Sequence, residues 1–265
     1  MPRIVALYRY PVKGFTPEAC DVLTVLDEGR IAGDRVLGIR FANSGVPDDA
    51  WSKKYQFVAL VNTPGLARLH LRFDHQALRL TISLDGALLV DEALDDNGRK
   101  RIAAAVENYV LNLEENPLSL NAERLPLRVV GNGVTPRYQD NEAGQVSLHG
   151  RESLAAVAAA IGDPDLSERR FRSNIAVEGL QAWEEQSWVG HKVRVGQVDF
   201  DVVKPKVRCL ATHANPETGE RDLPMLTTLI SAFAQEQPTF GVAMVTSASG
   251  AGGQIHIGDK VSLVD

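Results

Sequence analysis

The chain has 265 residues, 44% of them hydrophobic, enough for one large core or two of ordinary size. A formal charge of −6 and a pI near 5.6 exclude a general nucleic-acid binder, which needs a basic surface to displace counterions from phosphates; any anion site must be local. No run approaches the roughly 18 apolar residues of a membrane span, and the start MPRIVALYRYPVKG lacks the apolar segment and cleavage site of a secretory signal. These features predict a soluble, cytoplasmic protein without membrane association. Cys20 and Cys209 are too few for a disulfide scaffold or a four-cysteine metal site, and a reducing compartment argues against a bridge between them.

In chain order, short β segments are expected over residues 4–8, 22–26, 36–41, 57–61 and 78–84, punctuated by Gly, Pro and Asp. They suggest a small barrel or twisted sheet. A helix should follow over 98–113, where Ile102, Val106, Tyr109, Val110 and Leu113 fall on one face. The aperiodic stretch EENPLSLNAERLP, residues 114–126, divides the chain into units of 1–118 and 119–265. In the second unit a helix over 151–161 aligns Leu154, Val157, Ala158 and Ile161, and another over 226–234 aligns Leu226, Leu229, Ile230 and Phe233. Between them, residues 193–203 read as a β-hairpin turning at Gly196 and Gln197, with Val198, Phe200 and Val202 on its buried face. A strand over 255–264 closes the chain, and SGAGG, residues 249–253, reads as a flexible hairpin loop before it.

The segment KPKVRCLATHANPETGERD, residues 204–222, delivers a strand into Arg208 and Cys209. Lys204, Lys206 and Arg208 place three cations within five residues of the thiol; positive charge favours thiolate, and a thiolate is what a soft metal needs. A buried cysteine acting as a small hydrophobe is the competing reading, and spacing leaves both open. In ERRFRSN, residues 168–174, Arg169 and Arg170 read as a solvated charge run with surface salt bridges to Glu168 and its neighbours. Arg172, with Asn174 and Ala176, would share one face of an extended chain. The turn after LYRYPVKGF, residues 7–15, presents Lys13 beside Gly14, and AGDRVLG, residues 32–38, presents Asp34 and Arg35. Each reads equally as an anion-binding corner or a plain turn. No phosphate loop, HExxH zinc helix or GxSxG elbow is present, and the six histidines have no metal-binding spacing. His213, four residues after Cys209, reads either as a group that tunes the thiol or as a satisfied imidazole.

Taken in order, YPVKG (10–14), GDR (33–35), RFRSNIAVEG (170–179), VGQVDFDVVKP (195–205), RCLAT with NPETG (208–219), FG (240–241) and IGDKV (257–261) resemble proteins with an N-terminal MOSC β-barrel followed by a MOSC domain. That family includes the mitochondrial amidoxime reducing component, bacterial reductases of N-hydroxylated bases and the C-terminal domain of molybdenum cofactor sulfurase. The resemblance implies a mixed α+β, β-rich fold: a small N-terminal β-barrel-like domain and a C-terminal MOSC β-barrel with flanking helices. It implies molybdenum cofactor (molybdopterin), with Cys209 as metal ligand and catalytic residue. Asp140 matches an acidic position near the metal. Lys13, Arg35, Arg172, Asn174, Arg208, Thr212, Phe240 and Gly241 would hold the cofactor.

This chain departs from the pattern in two places. Relatives commonly read CSRC followed by two threonines where it has Lys206, Val207, Arg208, Cys209, Thr212 and His213, so hydroxyl partners near the metal are lost. The loop NSGVPDDAWSKKY, residues 43–55, also lacks the family's usual run. Three functions stand open: a molybdenum oxidoreductase acting on small N-hydroxylated compounds with electrons from a separate ferredoxin-like or reductase partner, a non-catalytic carrier of the cofactor or of sulfur, and a degenerate member without cofactor.

Overall fold

A computed structural model describes residues 1–247 and 252–264. Its strands and helices run β1 (Arg3–Arg9), β2 (Glu18–Cys20), β3 (Val22–Val25), β4 (Gly38–Arg40), β5 (Leu69–Asp74), β6 (Arg79–Leu84), β7 (Ala87–Ala93) and α1 (Asp96–Leu111), followed by β8 (Arg128–Val130), β9 (Val146–Gly150), α2 (Arg151–Ile161), β10 (Ile175–Glu178) and α3 (Glu184–Ser187). The chain ends with β11 (Lys192–Val195), β12 (Val198–Val207), α4 (Met225–Phe233), β13 (Thr239–Thr246), β14 (Gly253–His256) and β15 (Val261–Val264).

An eight-stranded sheet in the order β15-β11-β12-β13-β9-β10-β1-β2 dominates, beside a β5-β6-β7 meander and the pairs β14-β3 and β4-β8. The fold is mixed and β-rich, as expected. The strand orders are open, and among the described residues they do not close into a barrel. Of the ladders in the large sheet, β9 with β10 runs parallel because α2 carries the chain back across the sheet.

Apolar periodicity sets two main cores. Val12, Phe15, Leu37, Leu69, Ile82, Ile102, Val106 and Val110 fill one, so the face predicted for the 98–113 helix is the buried face of α1. Asp95 caps that helix by accepting from the Gly98 amide at 2.7 Å. The other core is built by Leu148, Ile175, Val193, Val198, Phe200, Val202 and Val242, together with Ile4 and Leu7 of β1 and Leu23 and Val25 of β3. The first strands of the chain therefore belong to the sheet of its second half. A smaller cluster packs α2 and α4 onto Phe171 and Phe240.

Several elements differ from their sequence expectation. Residues 57–61 are not a strand. Phe57, Val58, Ala59 and Leu60 are buried, but Leu60 donates to the Gly14 carbonyl and Asn62 and Thr63 turn back onto Ala59. A short apolar run does not distinguish a buried loop from a strand. Residues 255–264 are two strands: Gly258, at φ +88°, turns the chain so that β14 pairs with β3 and β15 with β11. On α4, Met225 and Leu229 are buried whereas Ile230 is exposed, because α4 packs one narrow face onto α2. The SGAGG loop lies largely outside the described residues.

Candidate functional site

Between the two cores lies an open-mouthed cavity, lined from one side by residues near 13, 35 and 54–61 and from the other by residues near 140, 171 and 206–212. Lys13, Arg35, Asp140, Arg172, Arg208, Cys209 and Thr212, all singled out in the sequence, line it. Asn174, Phe240 and Gly241 do not; they form the wall behind.

The turn after β1 is fixed by Tyr10, Val12 and Phe15, all fully buried. Gly14 sits at φ +79°, and a Cβ there would lie 2.4 Å from that of Ala59, so only glycine allows the close approach. The turn buries Lys13 to 2% exposure, with Nζ donating to the Tyr138 carbonyl at 2.8 Å and to Asp140 Oδ1 at 2.9 Å. Burial holds the Lys13 ammonium below the usual lysine range against the opposing pull of Asp140. Asp140 is depressed well below the usual carboxylate range, chiefly by Lys13 and then by Lys206 and Arg35.

Arg35 and Arg172 both adopt left-handed backbone, φ +52° and +53°, a conformation that costs of order 1 kcal/mol or more in a non-glycine residue. Tertiary contacts hold it. The Arg35 amide donates to the Tyr10 carbonyl, and its own carbonyl accepts from Arg137 and Tyr138. Both guanidiniums lie over the Tyr10 ring, at 4.6 and 4.4 Å from its centroid. Tyr10 donates its hydroxyl to the Ser173 carbonyl, and burial pushes that hydroxyl up to about 12 although both arginines oppose the shift. Arg35 is further paired with Asp34, whereas Arg172 donates to the Phe15 carbonyl. The extended chain expected at Arg172 is therefore wrong. A 3₁₀ turn, Glu168–Phe171, ends on it, and β10 begins only at Ile175.

Arg208 leaves the end of β12 into the wall, where Nε donates to the Phe240 carbonyl at 2.9 Å and Nη1 to that of Phe171 at 2.5 Å. Burial lowers its guanidinium to about 10, opposed by the Cys209 thiol. It remains charged at neutral pH. Phe240 stacks on Phe171 at 3.7 Å, and Gly241, at φ +66°, passes so close to the Leu148 carbonyl that a Cβ would meet it at 2.3 Å. Asn174, 1% exposed, ties Ser147 to the Tyr8 carbonyl and to Asp34. Cys20 and Cys209 are free thiols, Cys209 half-buried on the cavity wall. The Thr212 hydroxyl donates to the Cys209 carbonyl at 3.0 Å. His213 turns away and accepts from the Leu226 amide at 3.3 Å at the start of α4, so its Nε2 is the unprotonated nitrogen.

Arg170, expected in a solvated run, is buried, donating to Asp222 at 2.8 Å and to the His213 carbonyl. Arg169 pairs with Glu217, not Glu168, whose carboxylate accepts instead from Tyr8 and Arg151. Sequence reasoning left Tyr10 and Lys206 out of the site. Lys206 lines the cavity, and burial, reinforced by Arg208, Arg35 and Lys204, lowers its ammonium to about 8 against the attraction of Asp140. The loop of residues 43–55 is anchored on the site's edge: Trp51 Nε1 donates to the Gln139 carbonyl at 2.9 Å, Tyr138 to that of Asp48, and Lys54 reaches the cavity.

The family model described as MOSC domain matches residues 135–262. This segment supplies Asp140, Arg172, Arg208 and Cys209, while Lys13 and Arg35 reach the cavity from outside it. Among curated relatives, the molybdenum cofactor sulfurase of Caenorhabditis briggsae is 30% identical over 149 residues, 56% of this chain and 20% of that protein. The mitochondrial amidoxime reducing component 2 of Rattus norvegicus is 30% identical over 101 residues, 34% of this chain and 28% of that protein. The chain thus covers less than a third of the length of these relatives. Among solved structures, the YUAD protein from Bacillus subtilis aligns with a TM-score of 0.43 and 12% identity over 98% of this chain and 94% of that one.

Among the described residues, no group of three or more His, Cys, Asp or Glu is placed to hold a metal ion. Among the same residues, no helix is long and apolar enough to cross a membrane.

Proposed function

We propose that the cavity holds molybdenum cofactor, with the Cys209 thiolate as the protein's ligand to the metal, and that the chain reduces N-hydroxylated compounds. The observation that carries this reading is the setting of Cys209: a free thiol in a cavity whose lining holds seven Lys and Arg side chains and one carboxylate. A bare metal ion does not fit, since side-chain ligands are not clustered there. An anionic cofactor that brings its own metal donors does.

Arg172 and Arg208 are hydrogen-bonded to carbonyls rather than paired with carboxylates, so their charge is available to a phosphate, which arginine forks bind well. With Lys13 and Arg35 they would hold the phosphate and the polar edge of the pterin. Asn174, Phe240 and Gly241 act at one remove by fixing the wall on which Arg208 and Arg172 stand. Asp140 holds Lys13 and turns an exposed carboxylate to the cavity, where it can accept a hydrogen bond from a substrate N–H. When bound, the cofactor supplies two-electron chemistry. Overall, the N–O bond breaks, two electrons from a separate donor protein and two protons enter, and an amine or amidine and water leave.

The test is to produce the protein in a host that makes the cofactor and to measure bound molybdenum and pterin beside Cys209→Ser. Near-stoichiometric metal that is lost in the variant, with turnover of an N-hydroxylated substrate by an external reductant, is expected. An empty wild-type protein from a host that loads a known relative would falsify the reading. Retained cofactor without turnover would favour a carrier, a reading to which the likeness to molybdenum cofactor sulfurases gives weight.

A further inference from the structure

Five of the seven cavity cations already have protein partners. Lys13 has Asp140 and the Tyr138 carbonyl, Arg35 has Asp34, and Arg170 has Asp222. Arg172 and Arg208 have backbone carbonyls and aromatic faces. Lys206 and Lys54 line the same cavity, and among the described residues neither ammonium has a hydrogen bond or an ion pair within 4 Å. The only carboxylate in the lining, Asp140, is engaged by Lys13.

Position separates Lys206 from the deeper cations. Along the end of β12 and beyond, Lys204 is exposed, Lys206 half-buried and Arg208 buried, so positive charge continues from solvent to the cavity floor. Two register irregularities, between Val202 and Lys204 and between Pro205 and Val207, interrupt the regular alternation of this strand. Such bulges re-aim side chains, and Lys206 and Arg208 both reach the cavity. Lys206, three residues before the thiol, is thus more accessible to solvent than Arg208 beside that thiol.

We propose that the Lys206 ammonium receives an oxyanion of the substrate, a carboxylate or a phosphate, so that the N-hydroxylated compounds this site takes are anions. This rests on the reading of the cavity as a reductase site. An ammonium partly withdrawn from water, attracted by Asp140 but with no carboxylate within ion-pair distance, pays little to exchange water for an oxyanion, and the contact is charge-assisted. Lys206 is thus a specificity-determining residue, with Lys54 as a second cation at the same cavity. A neutral substrate would leave the ammonium unpaired.

The experiment compares three aromatic amidoximes of one skeleton, bearing a carboxylate, a phosphate or no charged group, on cofactor-loaded wild type, Lys206→Met and Lys206→Arg at matched molybdenum content. In wild type the anionic substrates should have KM lower by roughly tenfold or more, the worth of one charge-assisted hydrogen bond, with similar kcat. Lys206→Met should lose the difference and Lys206→Arg keep most of it. The carboxylate and phosphate arms identify which oxyanion is preferred. Calorimetric binding of the corresponding unreactive amidines to the loaded protein reads the same preference without turnover, so it tests Lys206 even if the reductase assignment fails. Equal KM and equal affinity for charged and neutral compounds in wild type would overturn the proposal. So would a fall in cofactor content in Lys206→Met, which would place the ammonium on the cofactor, or a change confined to the KM of the electron donor.

Discussion

The surface around the β5–β7 meander and the cavity use the same residue types to opposite effect. On the meander, Arg79 meets Asp91 at 2.8 Å, Arg101 meets Glu92 and Arg68 meets Asp85, each pair at the surface. There charge is neutralised locally and screened by water and salt, so such pairs contribute little to stability. In the cavity, Arg172 and Arg208 are packed against aromatic rings and bonded to carbonyls, which satisfy their hydrogens without cancelling their charge. The protein therefore keeps positive potential inside an acidic chain.

Four measurements bear on this contrast. The largest effect is expected at Tyr10, whose ring carries both Arg35 and Arg172. Tyr10→Ala should lower unfolding stability in urea by about 3–5 kcal/mol, and Tyr10→Phe, which loses only the hydroxyl bond to Ser173, by about 1 kcal/mol. An alanine variant as stable as wild type would mean that the guanidiniums are held without the ring.

Next comes Glu168, a carboxylate just behind the cavity wall. Burial raises it, but contacts with His149, Arg151 and Tyr8 overcome that and hold it at about 2. Because its folded value lies below the ordinary one, its contribution is complete above about pH 4.5 and is lost as pH falls toward 2, with a ceiling on the order of 3 kcal/mol. Glu168→Gln should flatten the acid limb of stability in that window. The same limb in both proteins would contradict the assignment.

Smaller again is the response of the cofactor-free protein to sulfate at ionic strength matched with chloride. An anion that binds only the folded state should raise the thermal midpoint by a few degrees, and Arg172→Gln should abolish the rise. An equal rise in both would place the anion elsewhere. Smallest is Arg79→Gln on the meander, for which the thermal midpoint should not move measurably. A clear loss there would mean that surface and cavity cations are not as different as their surroundings imply.

Much of this organisation is legible in residues. The spacing of Ile102, Val106 and Val110 defines α1, the alternation of Val198, Phe200 and Val202 with Gly196 at φ +60° defines the β11–β12 hairpin, and the ordered motifs bring Lys13, Arg35, Arg172, Arg208 and Cys209 to notice. Burial of Arg170 is not legible, because Arg169 and Arg170 read as a solvated run until Asp222 arrives from 52 residues away. Nor is the loop at residues 57–61, whose apolar character reports burial but not backbone path.

By itself the sequence determined the strongly periodic segments, α1, α2 and the β11–β12 hairpin among them, since local periodicity and turn chemistry act over a few residues, and it determined that cations and a thiol recur in a specific order. Only the tertiary structure decided that β1 and β2 join the sheet of the second half, that one tyrosine ring carries two arginines from distant segments, and that the irregular end of β12 leaves Lys206 in the cavity with no carboxylate within ion-pair distance. Those facts depend on contacts between residues far apart in the chain, and on which charges remain unpaired after packing is complete.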